Sequence, residues 1–211
     1  QKLTLLCVMG LISFSLNAQN IITIDNNAES TTTYQTIQDA HDNASAGDII
    51  YVQPSPSSYG SVSITKPLTI MGRSHSEPGK RSSLTNVSVQ SSDITLKGLK
   101  ISFIGANTSP SGSSPFVNLT INECFVTSNI DLGNSSTQGI SPIIDNVNIR
   151  GNVMDDIDVR TDATNVFLTN NILIGSNPIR TWNTTSFVIA NNIFKSTFVI
   201  DIDNEYTLGT L

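Results

Sequence analysis

Charged side chains are scarce in this chain. Asp, Glu, Lys and Arg make up 13% of its 211 residues, and the formal net charge is −6 at pH 7. Lys and Arg are few and scattered along the sequence, whereas nucleic-acid binding needs a concentrated basic surface. The composition therefore argues against a nucleic-acid partner. Abundant Asn, Ser and Thr also favour strands and tight turns over helices.

Cysteine and histidine are nearly absent, which limits covalent chemistry. The two cysteines are Cys7 and Cys124, and the two histidines are His41 and His75. Cys7 lies in an N-terminal stretch that we expect to be removed, so Cys124 would then be alone and no intrachain disulfide could form. No histidine adjacent in sequence would activate the Cys124 thiol. We therefore interpret Cys124 as a buried structural residue rather than a nucleophile.

A long apolar run occurs at the N terminus and nowhere later. Lys2 precedes the run over residues 3–16, and Ala18 follows it closely. This order of basic, apolar and small residues is typical of a secretory signal peptide, and the run is shorter than the about 20 residues of a membrane span. A buried first strand or helix is the alternative. We predict a signal peptide over residues 1–18 and one domain over residues 19–211. The mature chain would be a secreted or cell-surface monomer without stable membrane insertion.

Four segments in the second half of the chain share one register. They cover residues 119–121, 147–149, 166–168 and 187–189, and their starts lie 28, 19 and 21 residues apart. At the same offset after each segment come, in turn, Cys124, Asn152, Asn171 and Asn192. One short strand and one fixed residue in each unit of about 20–30 residues is typical of a solenoid.

A second, shorter apolar segment follows each of these strands, at residues 130–132, 157–159, 179–181 and 200–202. Stacking such strands on their equivalents in the next unit would build parallel sheets and a continuous core. We expect Asn152, Asn171 and Asn192 to stack at one turn, to hydrogen-bond along a ladder and to adopt the turn's unusual backbone angles, with Cys124 in line. A β-sandwich is the competing fold, but it explains neither the asparagine column nor a helix ahead of the strands.

One helix is predicted, over residues 33–44. Tyr34, Ile37, Ala40 and Ala44 recur near helical spacing, and Thr33 or Thr36 could serve as the N-cap. An amphipathic helix before a run of strands would cover the open apolar end of a solenoid. The predicted fold class is therefore all-β, a right-handed parallel β-helix with one short N-terminal capping helix.

Three short segments near the N terminus occur in a characteristic order. They are residues 34–40 (YQTIQDA), 46–52 (AGDIIYV) and 64–70 (ITKPLTI), with Gly72 following. A capping helix, a strand opened by Gly-Asp and a strand after Lys-Pro resemble the start of right-handed parallel β-helix proteins with the pectin-lyase-like fold. The resemblance implies the fold more specifically than an activity, because this superfamily includes lyases, hydrolases, esterases and non-enzymatic surface proteins.

The motifs of the enzymatic branches are missing. Polygalacturonases resemble one another in Asn-Thr-Asp, an Asp pair, His-Gly and Arg-Ile-Lys, whereas here Asp155-Asp156 is the only Asp pair and none of the other motifs accompanies it. Nothing matches the Asp-Phe-Ile-Phe-Gly segment of pectin methylesterases. A pectate-lyase arrangement, with Ca²⁺ held by acidic side chains and an Arg base, stays open.

A charged column is the candidate site. Period-two alternation places one outward residue on each second strand, about 4.8 Å from the next; in chain order these are Asp131, Asp158, Arg180 and Asp201, with Arg160 and Trp182 on the same side. Such a column could hold a cation against a uronate while Arg takes the C5 proton. The alternative is a solvated strand face on which opposite charges relieve repulsion. Trp182 could stack on a sugar ring or pack under a loop, and Phe167 and Val188 would alternate outward on the first strands.

Two classes of function follow. The preferred one is a secreted β-helix module that interacts with polysaccharide or is displayed on a surface, without a recognisable catalytic site. The other is a pectin-lyase-like lyase or hydrolase acting on acidic glycans, with Ca²⁺ if it is a lyase. Residues 208–211 do not resemble a cap, so we also expect the natural chain to continue beyond Leu211.

Overall fold

The computed structural model describes residues 19–106, 116–133, 144–159, 163–182, 184, 186–195 and 200–203. The predicted signal peptide, Arg160 and residues 208–211 lie outside the described residues. For Trp182 and Asp201 the backbone alone is described.

Short strands make up most of the described chain. In chain order the elements are β1 Ile21–Ile24, α1 Ile37–Asn43, β2 Ile49–Val52, β3 Val62–Ile64, β4 Leu68–Gly72, a 3₁₀ turn Pro78–Lys80, β5 Ser83–Val89, β6 Ile94–Lys97, β7 Lys100–Ala106, β8 Phe116–Asn122, β9 Phe125–Leu132, β10 Ile144–Arg150, β11 Val153–Val159, β12 Ala163–Thr169, β13 Ile172–Leu173, β14 Ile179–Trp182, β15 Phe187–Ala190, β16 Ile193–Phe194 and β17 Ile200–Asp203.

The strands of the described residues form two sheets in which every pairing is parallel. The first sheet has eight strands in the order β1-β2-β4-β6-β8-β10-β12-β15, and the second has nine, running from β3 through β5, β7, β9 and β11 to β13 and β16, with β14 and β17 continuing beside β11. From β2 to β13 the strands alternate between the two sheets along the chain, so each of these coils contributes to both sheets, whereas α1 lies between β1 and β2. The predicted parallel β-solenoid is confirmed.

The core lies between the sheets and follows the predicted alternation. Leu119, Val147 and Val166 face each other on β8, β10 and β12 and are buried. The neighbouring inward column of Ile121, Ile149, Leu168 and Ile189 is buried except in the last coil, where Ile189 and Phe187 are partly exposed. A three- or four-residue strand cannot bury its apolar side alone, and each buried Val, Leu or Ile stabilises the stack by about 1.5–3 kcal/mol.

Helix α1 covers one edge of the second sheet. It spans Ile37–Asn43, shorter than the predicted residues 33–44, because Thr36 is the N-cap and its Oγ1 accepts a hydrogen bond from Asp39 N. Ile37 and Ala40 are buried against the first coil. The apolar face is therefore short, and the backbone of Thr36 itself is extended.

The side chains of α1 occupy the position that a further strand beside β3 would take in the second sheet. Gln38 Oε1 accepts a hydrogen bond from Ser63 N at 2.9 Å, and His41 Nε2 accepts one from Thr65 N at 3.2 Å. Lys66 Nζ in turn donates to the carbonyls of His41 and Ala44 at 3.0 and 2.8 Å. These bonds satisfy strand amides that an open edge would leave exposed to another chain. The capping helix is confirmed, and His41 is part of the cap.

Candidate functional site

Asn152, Asn171 and Asn192 form a continuous hydrogen-bonded column, called here the asparagine ladder. Asn171 Oδ1 accepts hydrogen bonds from Asn152 N at 2.9 Å and Asn152 Nδ2 at 3.0 Å, and Asn192 Oδ1 accepts the same pair from Asn171 at 2.8 and 3.0 Å. Each Nδ2 also donates to a carbonyl of the preceding coil: to Ile121 O, Ile149 O and Leu168 O, at 2.8–2.9 Å. Each asparagine thus satisfies a buried turn in the coil before it.

The expectation that the ladder asparagines adopt the unusual backbone angles is wrong. The left-handed angles fall one residue earlier, at Gly98, Glu123, Gly151, Asn170 and Asn191, with φ of 65°, 53°, 68°, 57° and 56°. One left-handed residue turns the chain sharply from the first sheet into the second, a role that suits Gly and Asn. The following asparagine then keeps ordinary angles and points inward.

Cys124 lies at the start of the ladder. Its backbone N donates to Asn152 Oδ1 at 2.8 Å, and its Sγ lies 3.4 Å from Asn122 O. The thiol is fully buried, and burial raises its pKa to about 12. A thiol that stays protonated at physiological pH is a poor nucleophile, so the geometry agrees with a structural role.

A second, exposed column of Asp and Asn was not predicted. Asp93, Asn118, Asn146 and Asn165 all adopt positive φ, between 55° and 62°. Asn118 Nδ2 donates to Asp93 Oδ1 at 2.7 Å, and Asn146 Nδ2 donates to Asn118 Oδ1 at 2.6 Å. The signal was present in the sequence, because each of these residues directly precedes a buried Ile, Leu or Val of its strand: Ile94, Leu119, Val147 or Val166. These short polar side chains tolerate the left-handed conformation and bridge neighbouring coils.

The charged column is assembled, but it is not a solvated face throughout. Asp131, Asp158 and Arg180 occupy equivalent positions on neighbouring strands, and the backbone register continues to Asp201. Asp158 is completely buried, and Arg180 has 31% of its side-chain surface exposed. Arg180 holds Asp158 through two bonds, Nε to Oδ1 at 2.5 Å and Nη2 to Oδ2 at 2.8 Å.

This pairing limits what the column can do chemically. Both polar edges of the Asp158 carboxylate are engaged by one guanidinium, and such bidentate pairs are strong and geometrically fixed. An Arg held this way is unsuited to removing a substrate proton, because its Nε and Nη2 groups already donate to the carboxylate. Among the described residues, no group of three or more His, Cys, Asp or Glu side chains could hold a metal ion.

Asp156 lies beside this pair in an unfavourable environment. Burial, together with the nearby charge of Asp155, raises the pKa of Asp156. Gly175 packs so closely against it that an added Cβ would lie 1.9 Å from Asp156 Oδ1. The Asp155-Asp156 pair therefore lies within β11, at an irregularity of the strand register where Gly175 crowds Asp156, and not in a solvated turn before the strand.

The outer face of the first sheet carries a shallow depression across β8, β10 and β12. Its lining combines hydroxyls, amides, one cation and one aromatic ring: Thr120, Asn122, Asn148, Ile149, Arg150, Phe167 and Thr169. Thr120, Asn148 and Phe167 share one outward column, and Asn122, Arg150 and Thr169 share the next. Phe167 does point outward, and Val188 on the next strand is 42% exposed.

Comparison with known proteins finds no relative of this chain. No helix in the described part of the chain is long and apolar enough to cross a membrane. No family model, curated protein or solved structure matches the chain. The fold and the site define a parallel β-solenoid with polar ladders at its turns and a mixed polar and aromatic depression on one face.

Proposed function

We propose that this chain is a polysaccharide-binding module that acts without turnover, at the cell surface or outside the cell. The observation that supports it is the depression on the first sheet, where the Phe167 ring lies among Asn, Thr and Arg side chains. A sugar ring presents an apolar face and a rim of hydroxyls, so an aromatic ring beside amides and hydroxyls matches both parts.

The repeat of the solenoid suits a polymer. Equivalent side chains recur on neighbouring strands at about 4.8 Å, and consecutive rings of an extended glycan advance by a similar distance. A glycan lying along the solenoid axis would therefore meet Thr120, Asn148 and Phe167 in succession. Export of the protein, which this proposal requires, is supported by the signal-peptide pattern of residues 1–18.

A place among the pectin-lyase-like proteins is part of the same proposal. Its support is the solenoid, the capping helix and the Gly47-Asp48 strand opening. Asp48 is buried and accepts hydrogen bonds from Asn20 N at 3.1 Å and Ser45 N at 2.8 Å. The Gly-Asp pair thus has a structural reason to open β2, independent of any activity.

Binding can be measured by affinity electrophoresis in gels that contain pectate, alginate, chondroitin or a neutral glycan. We expect retardation by at least one of them, and a loss of about fivefold or more in affinity for Phe167→Ala, since stacking on an aromatic ring contributes about 1 kcal/mol or more. Ile193→Ala is the matched control, because it truncates a large apolar side chain that is 57% exposed on the other sheet.

Turnover is measured in parallel by the absorbance of unsaturated uronate products, with and without Ca²⁺. We expect none. Product formation that requires Ca²⁺ and disappears in Arg180→Ala would contradict the proposal, provided that the variant still unfolds cooperatively. That check is needed because removal of Arg180 leaves a buried carboxylate without its ion pair.

A further inference from the structure

Six basic side chains that are scattered in the sequence are brought to one corner of the solenoid. This is the corner beside the asparagine ladder, where strands of the first sheet turn into strands of the second. We call it the basic corner; it comprises Arg73, Lys80, Arg81, Lys97, Lys100 and Arg150. These are six of the 11 Lys and Arg residues in the chain, so more than half of its positive charge is collected there.

The first-sheet side of the corner is set by strand register. Lys97, Asn122 and Arg150 occupy the same outward position on β6, β8 and β10. Lys97 and Arg150 are therefore two strands, or about 10 Å, apart on one straight column. Arg150 is exposed and also lines the depression described above, so the corner and the depression are continuous.

The second-sheet side is set by register and by a loop. Lys100 on β7 lies opposite Phe125 on β9, and the guanidinium carbon of Arg81 lies 4.8 Å from the centre of the Phe125 ring. Arg81 Nε also donates to His75 O at 3.0 Å. The loop that carries Arg73 and Lys80 is thereby held against the turn two coils further along the first sheet.

Few carboxylates offset these charges. Glu77 pairs with Lys80 at 2.6 Å, and Glu123 Oε2 lies 3.7 Å from Lys97 Nζ. Within the part of the chain that the structure describes, six cations against these two carboxylates leave an excess of four positive charges, in a chain whose net charge is −6. An acidic polymer would be repelled by the net negative charge of the molecule and attracted to this corner.

We propose that the basic corner binds the acidic groups of an anionic polysaccharide, which are carboxylates or sulfates, where the polysaccharide extends beyond the end of the depression. This inference rests on the proposed function and specifies the ligand class. A polysaccharide fits better than a nucleic acid, because the aromatic ring at the corner, Phe125, is already covered by Arg81. The depression next to it offers hydroxyls and amides rather than a series of stacking platforms.

The test compares glycans that share a backbone and differ in charge: pectate with fully methyl-esterified pectin, and heparin with its desulfated form. We expect the charged member of at least one pair to bind about tenfold or more tightly than its neutral counterpart, and more weakly as ionic strength rises. The combined substitutions Lys97→Gln, Lys100→Gln and Arg150→Gln should remove about tenfold of the affinity for the charged glycan, since each exposed ion pair contributes a few-fold. Lys195→Gln is the control. It removes an exposed lysine that follows β16, four strands from Lys100 on the second sheet.

Each outcome separates this inference from the proposed function. Equal binding of charged and neutral members, unchanged in the triple variant, would overturn the basic corner as a ligand site and leave the depression as a glycan site. No binding to any glycan would overturn the proposed function itself. An affinity for single-stranded DNA equal to that for the charged glycan would overturn the proposal of a polysaccharide ligand. A preference for heparin or for pectate would support the inference and identify the acidic group.

Discussion

At the scale of single residues, position decides what an asparagine does in this chain. Asn171 is 1% exposed, and it is hydrogen-bonded to Asn152, Ile149 and Asn192. Asn148, within strand β10, faces outward and donates to Asn146 Oδ1 at 3.2 Å. The first holds two coils together in a dry environment, where a lost partner is costly, and the second lies where water can replace a lost partner.

Replacing Asn171 by Leu should therefore destabilise the protein by about 1–3 kcal/mol, because it leaves the amide of Asn152 and the carbonyl of Ile149 buried without partners. Asn148→Leu makes the same chemical change on the outward face and should alter stability by no more than about 0.5 kcal/mol. Urea unfolding followed by circular dichroism measures both. Equal stabilities of the two variants would show that the ladder contributes nothing beyond a solvated amide.

At the scale of elements, the loop between β4 and β5 links coils that are not neighbours in sequence. Arg81 packs on Phe125, and His75 lies near Glu123, at the turn between β8 and β9. Burial lowers the pKa of His75 from its ordinary value, an effect that the nearby Glu123 opposes and Arg81 reinforces. The docked loop therefore favours neutral His75.

The sign of the resulting pH dependence follows from this lowered pKa. The unfolded chain takes up a proton at His75 near pH 6.5, while the folded chain does so only at lower pH. Stability from this residue is thus present above about pH 6.5 and is lost as the pH falls through the folded-state pKa. Urea unfolding at about pH 7.5 and 5.5 should show a smaller pH effect in His75→Gln than in the wild type. An identical pH effect in both proteins would mean that His75 has no role in holding the loop.

Coils and loops differed in how far they could be predicted from sequence. The inward residues of β8, β10 and β12 follow a two-residue period and a fixed offset to Asn or Cys. Their contacts could therefore be predicted from this repeated pattern, although the residues are distant in sequence. The same offset also places Lys97, Asn122 and Arg150 in one column, a signal that was available and missed. Arg81 reaches Phe125 only through an irregular loop, and no periodicity predicts such a contact.

The candidate site was also predictable in its strand register but not in its burial. Register correctly aligns Asp131, Asp158 and Arg180, but strand alternation gives only the side of the sheet on which a residue lies. It does not say what covers that side, so the complete burial of Asp158 could not be predicted. The left-handed residues one position before the ladder were missed for a related reason. The conformation is a property of the turn, and Glu123 adopts it as well as Gly151 and Asn170.

At the scale of the whole molecule, an acidic chain carries six of its 11 Lys and Arg residues at one corner, beside the depression that we propose binds sugars. The capping helix occupies the edge of β3, so growth of the second sheet by another chain is blocked at that end. Among the described residues, the outer face of the first sheet is then a long regular surface for a polymer, since its columns extend across eight strands. These features are the reason why we propose binding on the first sheet rather than at the Asp158–Arg180 pair.

The most direct test of this account is a nuclear magnetic resonance titration with an oligosaccharide of the glycan that retards the protein most in electrophoresis. The account predicts that the side-chain signals of Asn122, Asn148, Arg150 and Phe167 shift together and saturate. The guanidinium signal of Arg180 should stay unchanged in the same titration, because its Nε is held by Asp158. Shifts confined to Arg180 and its neighbours, or no shift with any glycan of the panel, would contradict it.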